Sequence, residues 1–120
     1  MKPIIIDNEK MAMSMERYLN NNAKAITIYC IDNSIVEPYL DVTTNIDEAN
    51  TILEDNQILV KTWSDNEKYI DELLKSGYFK DTGKRVPINY VVAHVWEIQK
   101  EITGELDFDI NDYLINSKGV

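Results

Sequence analysis

Apolar residues alternate with polar ones along most of this chain, the period of a β-strand, and recur every three to four positions in a few stretches, most clearly after Ser64. In Gln57 to Trp63 the alternation places Ile58, Val60 and Thr62 on one face and Leu59, Lys61 and Trp63 on the other. It is strongest in Ile88 to Ile98, where Val92, His94, Trp96 and Ile98 oppose Val91, Ala93 and Val95. Both of those faces are largely apolar, which predicts a central strand. Pro38 to Thr44 alternates too and has the β-branched content of a strand. Met11 to Leu19 fits both periods. Met11, Met15, Tyr18 and Leu19 make a helical face, whereas Met11, Met13 and Met15 alternate with Ala12, Ser14 and Glu16. Asn20, Asn21 and Asn22 tolerate left-handed turn conformations ahead of the strand-like Ala25 to Ile31, so a hairpin is the favoured reading.

The helical stretch carries Ile70, Leu73, Leu74 and Tyr78 at one-turn spacing, with Gly77 as the stop signal. Ser64 followed by Glu67 has the spacing of a capping box, and Asp65 and Glu67 suit the positive end of a helix dipole. A shorter helix is expected after Asn45, capped by Asn45 with Glu48, its apolar side being Ile46, Ala49, Ile52 and Leu53. Asp81 to Arg85 (DTGKR) reads as a turn, and the segment from Glu105 to Ile115 as a final strand or short helix. These elements predict a single α+β domain over residues 1–120: a mostly antiparallel sheet, one main helix at about 65–76 packed on one face, and an acidic C-terminal extension at 101–120.

Composition fits that picture. A chain of 120 residues with 44% hydrophobic content can bury a core without covalent staples. No apolar run approaches the ~20 residues that cross a bilayer, and Pro3 to Ile6 lack the features of a signal peptide, so a cytoplasmic location is expected.

Chemistry is mostly excluded. Cys30 is the only cysteine and His94 the only histidine, which rules out an intramolecular disulfide and a Cys/His zinc cluster. A Cys30–His94 dyad is the one nucleophile and base pairing available, yet both lie in apolar strand-like runs where packed residues are expected. Glycines at 77, 83, 104 and 119 form neither a P-loop nor a dinucleotide fingerprint. Asp107 to Asp112 begins like a calcium loop, but Asp112 stands where the turn glycine belongs and Lys118 where the bidentate glutamate belongs. No metal, cofactor or catalytic group is expected.

Charge is the feature that changes the picture. The formal net charge is -9, and from Ala25 to Val60 there is no Lys or Arg. Asp32, Glu37, Asp41, Asp47, Glu48, Glu54 and Asp55 lie in that stretch, and Glu105, Asp107, Asp109 and Asp112 follow in the tail. Such a field repels nucleic acid and membrane surfaces and attracts basic proteins. Lys75, Lys80, Lys84 and Arg85 could touch a phosphate backbone, but the surrounding field opposes it. Asp65, Asn66 and Glu67 form a second candidate, an exposed recognition tip.

The order EPYLDVTTNI, ILVKTWSDNE, LLKSGYF with DTGKRVP, and YVVAHVWEI resembles a family of small uncharacterised bacterial proteins often found with phages and conjugative elements. The resemblance covers roughly residues 25–98, its recurring features falling on Pro38, Tyr39, Lys61, Trp63, Asn66, Glu67, Gly77, Thr82 and Gly83. It implies no catalytic residues. It does imply a setting in which small acidic proteins block host nucleases by occupying their DNA-binding grooves. The expectation is therefore a non-enzymatic inhibitor of a host defence protein, of anti-CRISPR or anti-restriction type. The alternative is an interaction or assembly module using an aromatic surface around Tyr39, Trp63 and Tyr78.

Overall fold

In a computed structural model, which describes residues 4–32 and 35–102, the chain forms seven strands and two short α-helices. β1 (Ile4–Ile6), β2 (Glu9–Arg17), β3 (Lys24–Asp32) and β4 (Ile35–Asp41) make an antiparallel four-stranded meander. β5 (Gln57–Val60), β6 (Phe79–Ile88) and β7 (Val91–Ile98) make a second antiparallel sheet in the order β5-β7-β6. α1 (Asp47–Asn50) joins β4 to β5, and a 3-10 helix (Ser64–Tyr69) followed by α2 (Ile70–Lys75) joins β5 to β6.

The residues that follow β4 splice the two sheets. Val42 N–H donates to the Ile26 carbonyl at 2.9 Å, Lys61 N–H donates to the Val42 carbonyl at 2.9 Å, and Thr43 bridges Val60. The Thr43 hydroxyl, buried in this junction, accepts from Ile26 N–H at 3.1 Å and bonds the Tyr18 hydroxyl at 3.0 Å. Across the splice the strands follow one another from β1 to β6, and α2 packs against both of these outer strands. The main core lies inside the curl. It joins Met11, Met13, Ile26, Ile28 and Leu40 of the first sheet to Ile58, Val60, Phe79 and Trp96 of the second, with Tyr69 and Leu73 from the helical segment.

A smaller core lies on the other face of the second sheet, where Leu59, Ala93 and Val95 meet Ala49, with Ile46, Leu53 and Trp63 packed alongside. β7 is thus apolar on both sides and central, as its alternation predicts. Met11 to Arg17 is strand, and the Asn-rich turn closes the expected hairpin with β3.

Four local expectations fail for identifiable reasons. Ser64 has φ +58, outside the extended region an N-cap requires, so no capping box forms and the helix starts as a 3-10 turn from Trp63. Residues 64–75 are helical, but α proper begins only at Ile70. Asn45 does not cap α1; its side chain bonds Asn20 and Asn21 across the hairpin turn. DTGKR lies inside β6 as a bulge, with Gly83 at φ +86, and the true turn is Asn89–Tyr90, so β7 starts at Val91 rather than at Ile88. Asp7 and Asn8, both at positive φ, close a two-residue hairpin onto β1, a strand the alternation does not reveal.

Thr43→Val keeps the shape of the splice but strands the Ile26 N–H without its acceptor. We expect a loss of about 1–3 kcal/mol in urea unfolding, the cost of a buried unsatisfied donor. Leu19→Ala, at a fully exposed turn residue, should stay within about 0.5 kcal/mol; equal effects from the two would mean the splice is not the constraint.

Candidate functional site

The acidic stretch runs along the length of β3 rather than gathering at one point. Asp32 ends β3; Glu37 and Asp41 on β4 stand opposite Cys30 and Thr27; Asp55 lies at the β3 start, where Lys24 Nζ donates to its carbonyl. Asp47 is held beside the hairpin turn, its Oδ1 accepting from Asn21 at 2.7 Å and Asn20 at 3.2 Å. Asp41 accepts from the Thr27 hydroxyl at 3.3 Å. Among the described residues, no carboxylate of this stretch has a Lys or Arg nitrogen within ion-pair distance. The pair of Arg85 with Asp81, at 2.8 Å, lies on the second sheet.

Cys30 registers the local field. Burial raises its thiol pKa, and the carboxylates of Glu9, Asp32 and Glu37 raise it further. Glu9 is an acidic contributor from β2 that sequence proximity does not reveal; only the β2–β3 pairing brings it there. A thiolate nucleophile is disfavoured in such surroundings. His94 stands on the other sheet, where its Nδ1 accepts from the Trp96 indole at 3.3 Å, so the two groups do not form a dyad.

Asp65 and Glu67 are exposed at the helix start, but Asn66 is buried and donates to the Asp41 carbonyl. The expected recognition tip is corrected on this point: its central residue ties the 3-10 segment to the end of β4. The aromatic surface is likewise dispersed. Tyr78 is buried in the main core and Trp63 packs against the smaller one, leaving Tyr39 as the exposed member. Glu105, Asp107, Asp109 and Asp112 lie outside the described residues.

Tyr39 belongs to a cluster that sequence reasoning missed. It is the extra residue of a bulge in β4, between the pairs Ile28–Leu40 and Tyr29–Pro38. Its hydroxyl donates to Asp7 Oδ2 at 2.6 Å; Tyr69, from the 3-10 helix, donates to the same oxygen at 3.0 Å. Glu72 of α2 accepts the Asp7 N–H at 2.9 Å. The two phenols hold the Asp7 carboxyl below its ordinary range, while the bond to Asp7 pushes the Tyr39 hydroxyl well above its own. An acid kept charged and a phenol kept neutral do not exchange a proton near pH 7, so the cluster acts as a latch joining the β1–β2 turn, β4 and the helical segment.

A cleft of about 320 Å³ opens beside this latch, lined by Ile4, Ile5, Glu72, Lys75, Ser76 and Tyr78. Of its polar groups, Glu72 is bonded to Asp7, and Ser76 to the Leu73 carbonyl and the Tyr78 N–H. Among the described residues no group of His, Cys, Asp and Glu could hold a metal ion, and no helix is long and apolar enough to cross a membrane.

No protein-family model matches the chain, and no match is found among curated proteins or solved structures.

Because the folded pKa of Asp7 lies below its ordinary 3.8, its contribution to stability is complete above that value and is lost as pH falls through the folded pKa. Asp7→Asn should therefore flatten the acid limb of melting temperature against pH as pH falls below the ordinary 3.8. Tyr39→Phe should flatten it in part, and the double variant should add little to Asp7→Asn alone; full additivity would show that the latch is not one unit.

Proposed function

We propose that this is a non-enzymatic acidic protein that binds a basic protein surface, and that its target is a host defence protein whose DNA-binding groove it occupies. The observation that carries the reading is that Asp32, Glu37, Asp41 and Asp47 have no Lys or Arg nitrogen within ion-pair distance among the described residues, so that over this part of the stretch, away from Lys24 beside Asp55, the field is not cancelled within the fold. A groove that binds a phosphate backbone offers Lys and Arg in the arrangement that such a field attracts. The phage and conjugative-element setting is part of this proposal and rests on the sequence resemblance alone, with no family match behind it.

Charge density limits how literal the mimicry is. Along about 30 Å, the length of a nine-residue strand such as β3, B-DNA carries roughly eighteen phosphates at one per ~1.7 Å. The stretch carries seven carboxylates. Complementarity to a basic patch, rather than phosphate-by-phosphate imitation, is the mechanism this density supports. The aromatic alternative is weaker, since burial of Tyr78 and packing of Trp63 break up its surface.

The test is a pull-down from bacterial lysate at about 50 mM and about 500 mM salt, across which the screening length shortens from about 14 to about 4 Å. We expect a nuclease or other DNA-binding protein to be retained at low salt and released at high salt. Asp32→Lys with Glu37→Lys should weaken that partner about tenfold, two exposed charge contacts at roughly 0.5–1 kcal/mol each. Retention through high salt, or an unchanged affinity in the double variant, would overturn the proposal.

A further inference from the structure

We propose that His94 is a proton-operated exchange point, its Nδ1 alternating between two partners, the Trp96 indole and the Asp81 carboxylate. In the structure Nδ1 is an acceptor: Trp96 Nε1–H donates to it at 3.3 Å, which places the imidazole proton on Nε2. On the other side Asp81 Oδ2 lies 4.0 Å from the same nitrogen, too far for a hydrogen bond and near enough to become one after a small shift. An acceptor atom and a donor atom cannot both be satisfied by one state of Nδ1. Neutral, it accepts from Trp96; protonated, it can no longer accept, and the carboxylate beside it is Asp81.

The surroundings make the exchange consequential. Trp96 is fully buried in the main core against Phe79, ring centroids 5.7 Å apart, so an indole N–H that loses its acceptor there has no solvent to turn to. Asp81 is the anchor of the β6 bulge, accepting both guanidinium nitrogens of Arg85 at 2.8 and 2.9 Å and the Gly83 N–H at 2.9 Å. The added proton therefore links the core tryptophan of β7 to the bulge that carries Lys84 and Arg85.

Asp81 and Arg85, both on β6, are the charged groups that act on the imidazole. β5, whose Val60 pairs with His94, has no titratable side chain, and Glu97 of β7 lies on the opposite face by strand alternation. Burial first, and then Arg85, hold His94 below its ordinary 6.5, with Asp81 opposing them. The neutral, Trp96-bound state thus prevails at neutral pH, and the exchange occurs on mild acidification. This inference is independent of what the acidic surface binds.

A pH titration of the intact protein by NMR tests it, because His94 is the only imidazole and Trp63 and Trp96 the only indoles. Trp63→Phe identifies the two indole signals. We expect the Trp96 indole N–H to shift with the same midpoint as the imidazole, below 6.5, while Trp63 stays still. In Asp81→Asn the midpoint should move to lower pH, since the carboxylate that favours the imidazolium is gone. An imidazole that titrates without moving Trp96, a midpoint at or above 6.5, or a midpoint unchanged in Asp81→Asn would each overturn the exchange.

Discussion

The splice from Val42 to Thr44 is the interaction on which the rest of this structure depends. A β-strand edge that is buried must find partners for its N–H and C=O groups, and three residues here satisfy edges of two sheets at once. Val42 pairs backward with Ile26 of β3 and forward with Lys61, while Thr44 N–H reaches the Leu59 carbonyl at 3.0 Å. The Thr43 hydroxyl then supplies the acceptor that the Ile26 N–H would otherwise lack. A β-branched residue with one hydroxyl is what such a position requires: it suits extended backbone and carries an oxygen short enough to reach a neighbouring strand.

From that junction the layout of the surface follows. The strands curl until α2 meets both β1 and β6, and the bulge in β4 turns Tyr39 out of register with its neighbours. The Tyr39 hydroxyl then reaches Asp7, and Asn66 reaches back to the Asp41 carbonyl immediately before the splice. Both contacts tie the helical segment or the first turn to the end of β4. The order of the acidic residues along β3 is set by the same path, since the chain descends β4, crosses at the splice and returns through α1.

What was legible in the sequence is what local pattern encodes. The two apolar faces of β7 and the alternation of β5 assign those strands, and the positive φ of Gly77 marks the helix end as its position predicts. What was not legible depends on residues far apart in the chain. Ser64 and Glu67 have the spacing of a capping box, yet the path from Trp63 forces Ser64 to φ +58 and the motif cannot form. DTGKR has turn composition, but β7 offers a continuous partner, so the same Gly83 conformation makes a bulge instead of a reversal. β1 has three residues, too few for a period to show. The Asp7 latch joins positions 7, 39 and 69, and no spacing rule links them.

The way carboxylates are held bears on why so acidic a chain keeps its field. A salt bridge fixes an acid in place by neutralising it; a neutral donor fixes it and leaves the charge standing. Asp47 is held by two asparagine amides, Asp41 by a threonine hydroxyl, Asp7 by two phenols and Glu72 by a backbone amide. None of these donors carries charge. The cost is mutual repulsion among acids in the folded state, a cost that a fold selected for stability alone would reduce by placing lysines between them. Ala25 to Val60 contains none. Asp41 and Asp47 lie in that stretch, each held by neutral donors, so their charge stays available to the basic surface proposed as the partner.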